Sequence, residues 1–418
     1  MKRTLTERIE NRRVKQPSFL AQLILKTYAK IMKKKLHINL NIIDQIPKKG
    51  PCFILFNHMS RLDFVFVTLA AKSRRINFVA AYHEHYRKKY YLAFKMAHTI
   101  PKHNYSTDLK AISNIREAIN KGYAVAIAPE ARNSNYGCTS PIVKGTGKFV
   151  AQFNVPIYLV KITGSYLTFP KVCSDIRRGK IDVTVKRLPL ETVKADNLDN
   201  YLNEEFRTNE FEWQNKEHTK WSHKMGMATD FDFILYQCPK CHQEFTLKGK
   251  DDTITCSHCG YQAKIDEYYT LTDPLNKFTD ISKWVRWEKG NIIKDIRKNK
   301  NYLFQVPVTL ETLDKYHTYK TSMGKVCGSG TFTINHFGIR YDGDKGGLPF
   351  QLNLSYKDIW TIGITQNIRS IFFYYNNEYY HLVPNYHCAL KIKMIIEEMQ
   401  RLHENIWPNF PWEEDLYH

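Results

Sequence analysis

A mostly parallel α/β sheet flanked by helices, followed by a small cysteine-stapled module and a β-rich domain with a closing helix, is the architecture this sequence predicts. Three observations predict it. Over residues 51–160 short apolar runs alternate with amphipathic stretches; Cys238 and Cys241 answer Cys256 and Cys259; and beyond residue 300 apolar positions alternate in twos between turn signals. With 418 residues, the chain has room for two or three cores rather than one.

The N-terminal residues are basic and lack the apolar core of a secretory signal, and no window reaches the roughly 18 apolar residues of a membrane span. The expected setting is the reducing cytoplasm, with any membrane contact peripheral and on the inner face. Lys and Arg outnumber Asp and Glu 62 to 41, a net charge of +21, which favours nucleic acid, an anionic membrane surface or phosphorylated substrates. Residues 1–36 supply one candidate surface. Phe19, Leu20, Leu23, Ile24, Ile31 and Met32 oppose Lys26, Lys30 and Lys33, Lys34 and Lys35, the pattern of a basic amphipathic helix lying in a headgroup layer. The same pattern also fits a helix packed on its own domain.

Residues 37–190 carry the α/β rhythm. "CFILF" is a strand, "RLDFVFVTLAAK" a helix, "INFVAAY" a strand; "TDLKAISNIREAINKG" is a helix capped by Asp108 and ended by Gly122; "YAVAIA" and "VPIYLVKITG" are strands. Parallel strands open their carboxyl-end loops to chemistry, and His58 and Glu130 both follow such strands. The charged stretch 191–237 reads as a helical connector, 238–265 as the cysteine module, and 300–406 as the β-rich domain. A closing helix is built on Leu390, Ile392, Ile395, Ile396, Met399 and Leu402. Tyr374, Tyr375, Tyr379 and Tyr380 read as sheet residues.

His58 and Asp63 are separated by four residues where a strand turns into a helix. A carboxylate on the first helical turn can reach back to Nδ1 and leave Nε2 facing outward as a general base. The alternative is a structural pair fixing the corner. "IAPEARNS" places Glu130 and Arg132 after another strand, and Lys144, Gly145, Gly147 and Lys148 follow; backbone N–H groups and basic side chains there suit a phosphate. Cys52 and Ser60 flank the motif as conceivable nucleophiles, but Cys52 lies within an apolar strand, where a thiol serves as a small hydrophobe.

Taken in order, "NHMSRLD", "APEARNS" and "VKGTGKFVAQFNVPIYLV" resemble the blocks of the glycerolipid acyltransferase family, which includes 1-acylglycerol-3-phosphate acyltransferase; the resemblance covers roughly residues 35–190. It implies an acyltransferase-like fold in which His58 is the base, Asp63 orients it, and Glu130 and its neighbours belong to the acceptor phosphate site, with Arg61, Lys102, Arg132, Lys144 and Gly145 as further binding candidates. The implied reaction moves a fatty acyl group from acyl-CoA or acyl-carrier protein to a lysophospholipid, in phospholipid biosynthesis. Where the family has Phe-Pro-Glu-Gly-Thr-Arg-Ser, this chain has Ala128, Ala131, Arg132 and Asn133 in the variable places. The family's Gly-x-x-Phe-x-x-Arg block reduces to Met96, Thr99 and Lys102, which opens other acceptors, glycerol 3-phosphate among them.

Two Cys-x-x-Cys pairs separated by fourteen residues are the ligand set of a closed structural zinc site: Cys238, Cys241, Cys256 and Cys259. His242 and His258 stand beside the ligands as bystanders. Many zinc ribbons bind nucleic acid, so a non-catalytic nucleic-acid-binding module is the rival reading, disfavoured because it leaves the His–Asp and Pro–Glu blocks without a purpose. The last domain resembles a pleckstrin-homology or GRAM-type domain, which implies docking to phosphoinositide-like lipid or to protein; a stabilising accessory domain is the alternative.

Overall fold

The computed structural model describes residues 3–406, except 73, 194–195 and 321–323, together with residue 416. The chain divides into two compact units, residues 1–170, 177–221 and 314–322 in one and residues 171–176, 222–313 and 323–418 in the other.

The first unit is built on seven strands: β1 (His37–Ile42), β2 (Cys52–Phe56), β3 (Ile76–Ala81), β4 (Ile100–Lys102), β5 (Ala124–Ile127), β6 (Ile157–Thr163) and β7 (Lys180–Arg187). They join in the order β1-β7-β6-β2-β5-β3-β4. All neighbouring pairs are parallel except the β6–β7 hairpin, so the sheet is mixed but mostly parallel. Its helices are α1 (Leu5–Glu10), α2 (Phe19–Lys35), α3 (Asp63–Ala70), α4 (Lys88–Met96), α5 (Leu109–Asn120), α6 (Thr146–Ala151), α7 (Ser165–Thr168), α8 (Leu190–Val193), α9 (Leu198–Phe206) and α10 (Glu210–Glu217). Strand β2 is central and buried along its whole length, which is why "CFILF" is apolar without alternation. Helix α5 starts where the Asp108 carboxylate accepts the Ala111 N–H at 2.8 Å, and Gly122 follows its end at φ +76°, a turn that glycine enters without a Cβ penalty.

Two segments differ from their sequence pattern. The charged stretch read as a connector packs instead into the first unit as far as Trp221. Leu198, Leu202 and Phe206 of α9 join the core cluster of Phe53, Leu55, Val125 and Leu159. Trp221 is fully buried, and a Cβ at Gly179 would meet its ring at 2.3 Å, so Gly179 is the residue that admits it. The apolar residues of α2 divide: Ala29 and Met32 face inward, while Phe19 is 79% exposed and Leu20, Leu23, Ile24 and Ile31 are exposed beside it. Among the described residues no helix is long and apolar enough to cross a membrane.

The second unit holds a four-stranded antiparallel ribbon, β8 (Leu247–Lys250), β9 (Thr253–Cys256), β10 (Gln262–Ile265) and β11 (Leu271–Thr272), and then helix α11 (Ile281–Lys298). Seven antiparallel strands follow: β12 (Leu303–Thr312), β13 (Lys325–Asn335), β14 (Gly338–Lys345), β15 (Leu348–Leu354), β16 (Gly363–Ile364), β17 (Ile371–Tyr375) and β18 (Glu378–Pro384). Strand β12 joins two meanders, in the order β15-β14-β13-β12-β18-β17-β16. Helix α12 (Ala389–Glu404) closes the unit, burying Leu390, Ile392, Ile395, Ile396 and Met399 and leaving Leu402 exposed.

Candidate active site and metal centre

Strand β2 ends at Phe56, and Asn57 extends its pairing with a side chain. Its Nδ2 donates to the Ile162 carbonyl and its Oδ1 accepts the Ile162 N–H, both at 2.7 Å, so β6 grips the residue before His58. Three further backbone-level ties hold the loop: the His58 N–H donates to Glu130 Oε1 at 3.2 Å, the Ser134 N–H donates to the His58 carbonyl at 2.9 Å, and Val143 N–H reaches Pro129 O at 2.8 Å. Thus the loops after β2 and β5, far apart in sequence, become one structure.

His58 Nδ1 lies 2.7 Å from Asp63 Oδ2. Asp63 opens α3 and is 1% exposed, whereas the imidazole is 31% exposed, so the acid is buried and the ring reaches the surface. Asp63 Oδ2 also accepts the Ser60 N–H at 2.9 Å, and Oδ1 accepts the Ser165 hydroxyl at 2.5 Å. A carboxylate so supplied with donors draws the imidazole proton to Nδ1 and leaves the Nε2 lone pair for an incoming hydroxyl.

Glu130 is buried behind this loop. Burial pushes its carboxyl up to about 8, the nearby Asp63 charge adds to the rise, and Arg132 opposes it. Its Oε2 has no hydrogen-bond partner. Ala131 takes a left-handed backbone, φ +54°, at the place where the resembled family carries glycine. Arg61 stacks its guanidinium over Phe169 at 4.1 Å. The Lys102 ammonium donates to the His103 carbonyl at 3.1 Å, and burial lowers its pKa. His103 itself is held by Asp108 at 2.8 Å and stacks on Tyr82, while Asn104 donates to the Ala131 carbonyl at 3.2 Å. Lys102 therefore belongs to a loop tied to the Glu130 segment.

The glycine loop behaves otherwise. The N–H groups of Gly145 and Gly147 both donate to the Asp199 carboxylate at 2.6 Å, so the donors expected to face an anion are taken by α9; Lys144 is exposed. Cys52 is fully buried, with its thiol pushed up to about 11 by burial, and Ser60 is fully buried as well. Neither is placed to act as a nucleophile. The sequence singled out His58, Asp63 and Glu130, which the structure brings together, but gave no prominence to Asn57, Ser165 or Glu210. Asn57 had a usable signal, its place directly before His58. The other two arrive from α7 and α10 and had none.

In the second unit, Cys238, Cys241, Cys256 and Cys259 place their Sγ atoms within 4.8 Å of one another. Zinc–sulfur bonds of about 2.3 Å in a tetrahedron set sulfurs about 3.8 Å apart. The Cys238–Cys259 and Cys241–Cys256 separations are 3.7 and 3.8 Å, so the four thiolates fit a zinc ion with no open position. Both knuckles use one turn. Cys238 and Cys256 donate their N–H groups to Gln243 and Tyr261, and His242 and Gly260 donate back to Cys238 and Cys256. Glu288 of α11 accepts the N–H groups of Tyr236 and Gln237, both at 2.7 Å, fixing the approach to the first knuckle. Bound zinc would staple this module and supply no reactive position.

Two family models match parts of the chain. Residues 37–163 match the family model described as Acyltransferase, and residues 233–263 match a zinc-ribbon model described as DNA directed RNA polymerase, 7 kDa subunit. No curated protein matches. Among solved structures, the 1-acyl-sn-glycerophosphate (LPA) acyltransferase PlsC from Thermotoga maritima is similar at 19% identity, covering 48% of this chain and 81% of that one with a TM-score of 0.38. The first match spans strands β1 to β6 and the segment that holds His58 and Asp63, so the chain carries a region similar to the Acyltransferase family model, followed by one similar to a zinc ribbon that holds the four clustered cysteines.

Proposed function

We propose that this protein transfers a fatty acyl group from the thioester of acyl-CoA or acyl-carrier protein to the free hydroxyl of a lysophospholipid, 1-acylglycerol 3-phosphate foremost, at an anionic membrane surface on the cytoplasmic face. The observation that carries the reading is the buried Asp63 bonded to the partly exposed His58 at 2.7 Å. His58 Nε2 takes the proton of the acceptor hydroxyl as its oxygen attacks the thioester carbonyl. The tetrahedral intermediate then collapses, the carbon–sulfur bond breaks, and the imidazolium returns its proton to the leaving thiolate. A thiol of pKa about 8.5 leaves readily, so no acyl-enzyme is needed.

The exposed apolar residues of α2, Phe19, Leu20, Leu23, Ile24 and Ile31, with lysines between and after them, support membrane docking. Glu130, Arg132 and the Lys102 loop support recognition of an anionic acceptor.

The test incubates purified protein with radiolabelled palmitoyl-CoA and a panel of 1-acylglycerol 3-phosphate, glycerol 3-phosphate and other lysolipids. Acylation of the first is expected. His58→Ala should lower turnover at least about 1,000-fold with the melting temperature unchanged, and undiminished turnover overturns the assignment. The match to a polymerase-subunit ribbon favours one rival, which would show as tight, salt-dependent nucleic-acid binding without acyl transfer.

A further inference from the structure

We infer that Ser165 and Glu210 are positioning residues for the acyl transfer: Ser165 orients the Asp63 carboxylate, and Glu210 holds the turn that presents Ser165. The inference rests on the reading of His58 as the base. Both residues lie beyond the segment matched to the acyltransferase family model.

Counting protons carries the argument. A hydroxyl has one to give. Ser165 Oγ lies 2.5 Å from Asp63 Oδ1 and spends its proton there, because a carboxylate can only accept. Ser60 Oγ lies 2.7 Å from Ser165 Oγ and accepts the Leu62 N–H at 3.1 Å, so its own proton goes to Ser165. The chain therefore runs from Leu62 through Ser60 and Ser165 into Oδ1. With Oδ1 engaged and Oδ2 shared between the Ser60 N–H and the imidazole, the carboxylate has one orientation, and the ring has one tautomer. Remove the Ser165 hydroxyl and Oδ1 keeps only the Ser60 hydroxyl at 3.5 Å, too far for a strong bond.

Ser165 is fully buried at the start of α7, directly after Gly164. Gly164 has φ +85°, and a Cβ on it would meet the Lys180 carbonyl of β7 at 2.2 Å, so the turn is pinned against the sheet. Glu210 closes it from the other side. Its Oε2 accepts the Leu167 N–H at 3.2 Å, yet the side chain is fully buried and its Oε1 has no hydrogen-bond partner. An apolar residue would avoid that penalty; a carboxyl retained there serves the turn. The charged and titratable groups facing Asp63 are His58, Glu130 and Glu210, with Arg132 beside Glu130.

The test compares wild type with His58→Ala, Ser165→Ala, Ser165→Thr, Glu210→Ala and Glu210→Gln, using palmitoyl-CoA and 1-acylglycerol 3-phosphate. Ser165→Ala is expected to lower kcat about 10-fold with KM held within about twofold, Ser165→Thr to restore most of it, and Glu210→Ala but not Glu210→Gln to reproduce the loss. Nitrogen-15 NMR of histidine-labelled protein supplies a substrate-free readout: wild-type His58 carries its proton on Nδ1 alone, and Ser165→Ala admits the second tautomer. If Ser165→Ala unfolds, Ser165→Cys, a weak donor of similar size, takes its place. Full kcat and a single tautomer in Ser165→Ala overturn the role of Ser165, and wild-type kcat in Glu210→Ala overturns that of Glu210. Both outcomes leave the base assignment standing. Undiminished transfer by His58→Ala instead removes the base and this inference with it.

Discussion

Glu130 and Glu210 are buried carboxyls near Asp63, and desolvation pushes each up to about 8. In the unfolded chain a glutamate ionises near pH 4.3, so both are neutral in the fold over a range where the unfolded chain has lost the proton. The sign follows: their contribution to stability is complete below about pH 4.3 and fades as the pH rises through about 8. Thermal unfolding between pH 5 and 8.5 should therefore fall less steeply for Glu130→Gln and Glu210→Gln than for wild type. Parallel curves would show that these carboxyls are ionised in the fold. Ala131, at φ +54°, makes a second expectation: Ala131→Gly should raise stability by about 1 kcal/mol, measured by denaturant melts, because only a side chain is strained there. At this scale the His58–Asp63 pair was legible because strand, loop and helix start lie in one short stretch. Ser165 and Glu210 were not, since one is a serine after a strand and the other one acid among many in a charged run; only the closure of α7 and α10 around Asp63 gives them meaning.

At the scale of elements, strands and helices with strong periodicity were readable, and α5, with its Asp108 cap, matches to within two residues at either end. Helix α9 was misread as connector because three apolar residues, Leu198, Leu202 and Phe206, are enough to bury one face of a short helix while the rest stays charged. Helix α2 was readable as amphipathic, but which of its residues would pack inward was not, because Ala29, Met32 and the polar Gln22 are buried while Phe19, Leu23 and Ile24 are not. Replacing Leu23 and Ile24 together by Lys should cut sedimentation with anionic vesicles at least about 10-fold with little effect on the melting temperature, since both are more than half exposed. Equal sedimentation would remove α2 as the anchor. In the ribbon, His242 occupies the left-handed position, φ +61°, that Gly260 occupies in the other knuckle at φ +69°. His242→Gly should bind zinc at least as tightly as wild type, measured by competition with a chelator.

For the molecule as a whole, the sulfur geometry predicts about one tightly held zinc per chain. Chelation should raise hydrogen exchange across residues 233–265 and leave exchange in β2 and β5 unchanged; a protected ribbon in metal-free protein would show that its core suffices without the ion. The α/β class and the zinc module were visible in the sequence because one is periodic and the other has fixed spacing. The division into two units was less so, since the first unit takes in residues 191–221 and 314–322, beyond the end at 190 that the α/β rhythm marks.

The strand order bears on synthesis at the ribosome. Strand β1 finds its partner only in β7, and β7 leaves the exit tunnel long after β1 and β2. With translation at about 5–20 residues per second, the apolar strand that ends at Phe56 waits several seconds before its sheet can be completed. During that interval β1 lacks its partner and β6 keeps an open edge; a truncation after residue 163, the end of the family match, should stay in that condition and aggregate.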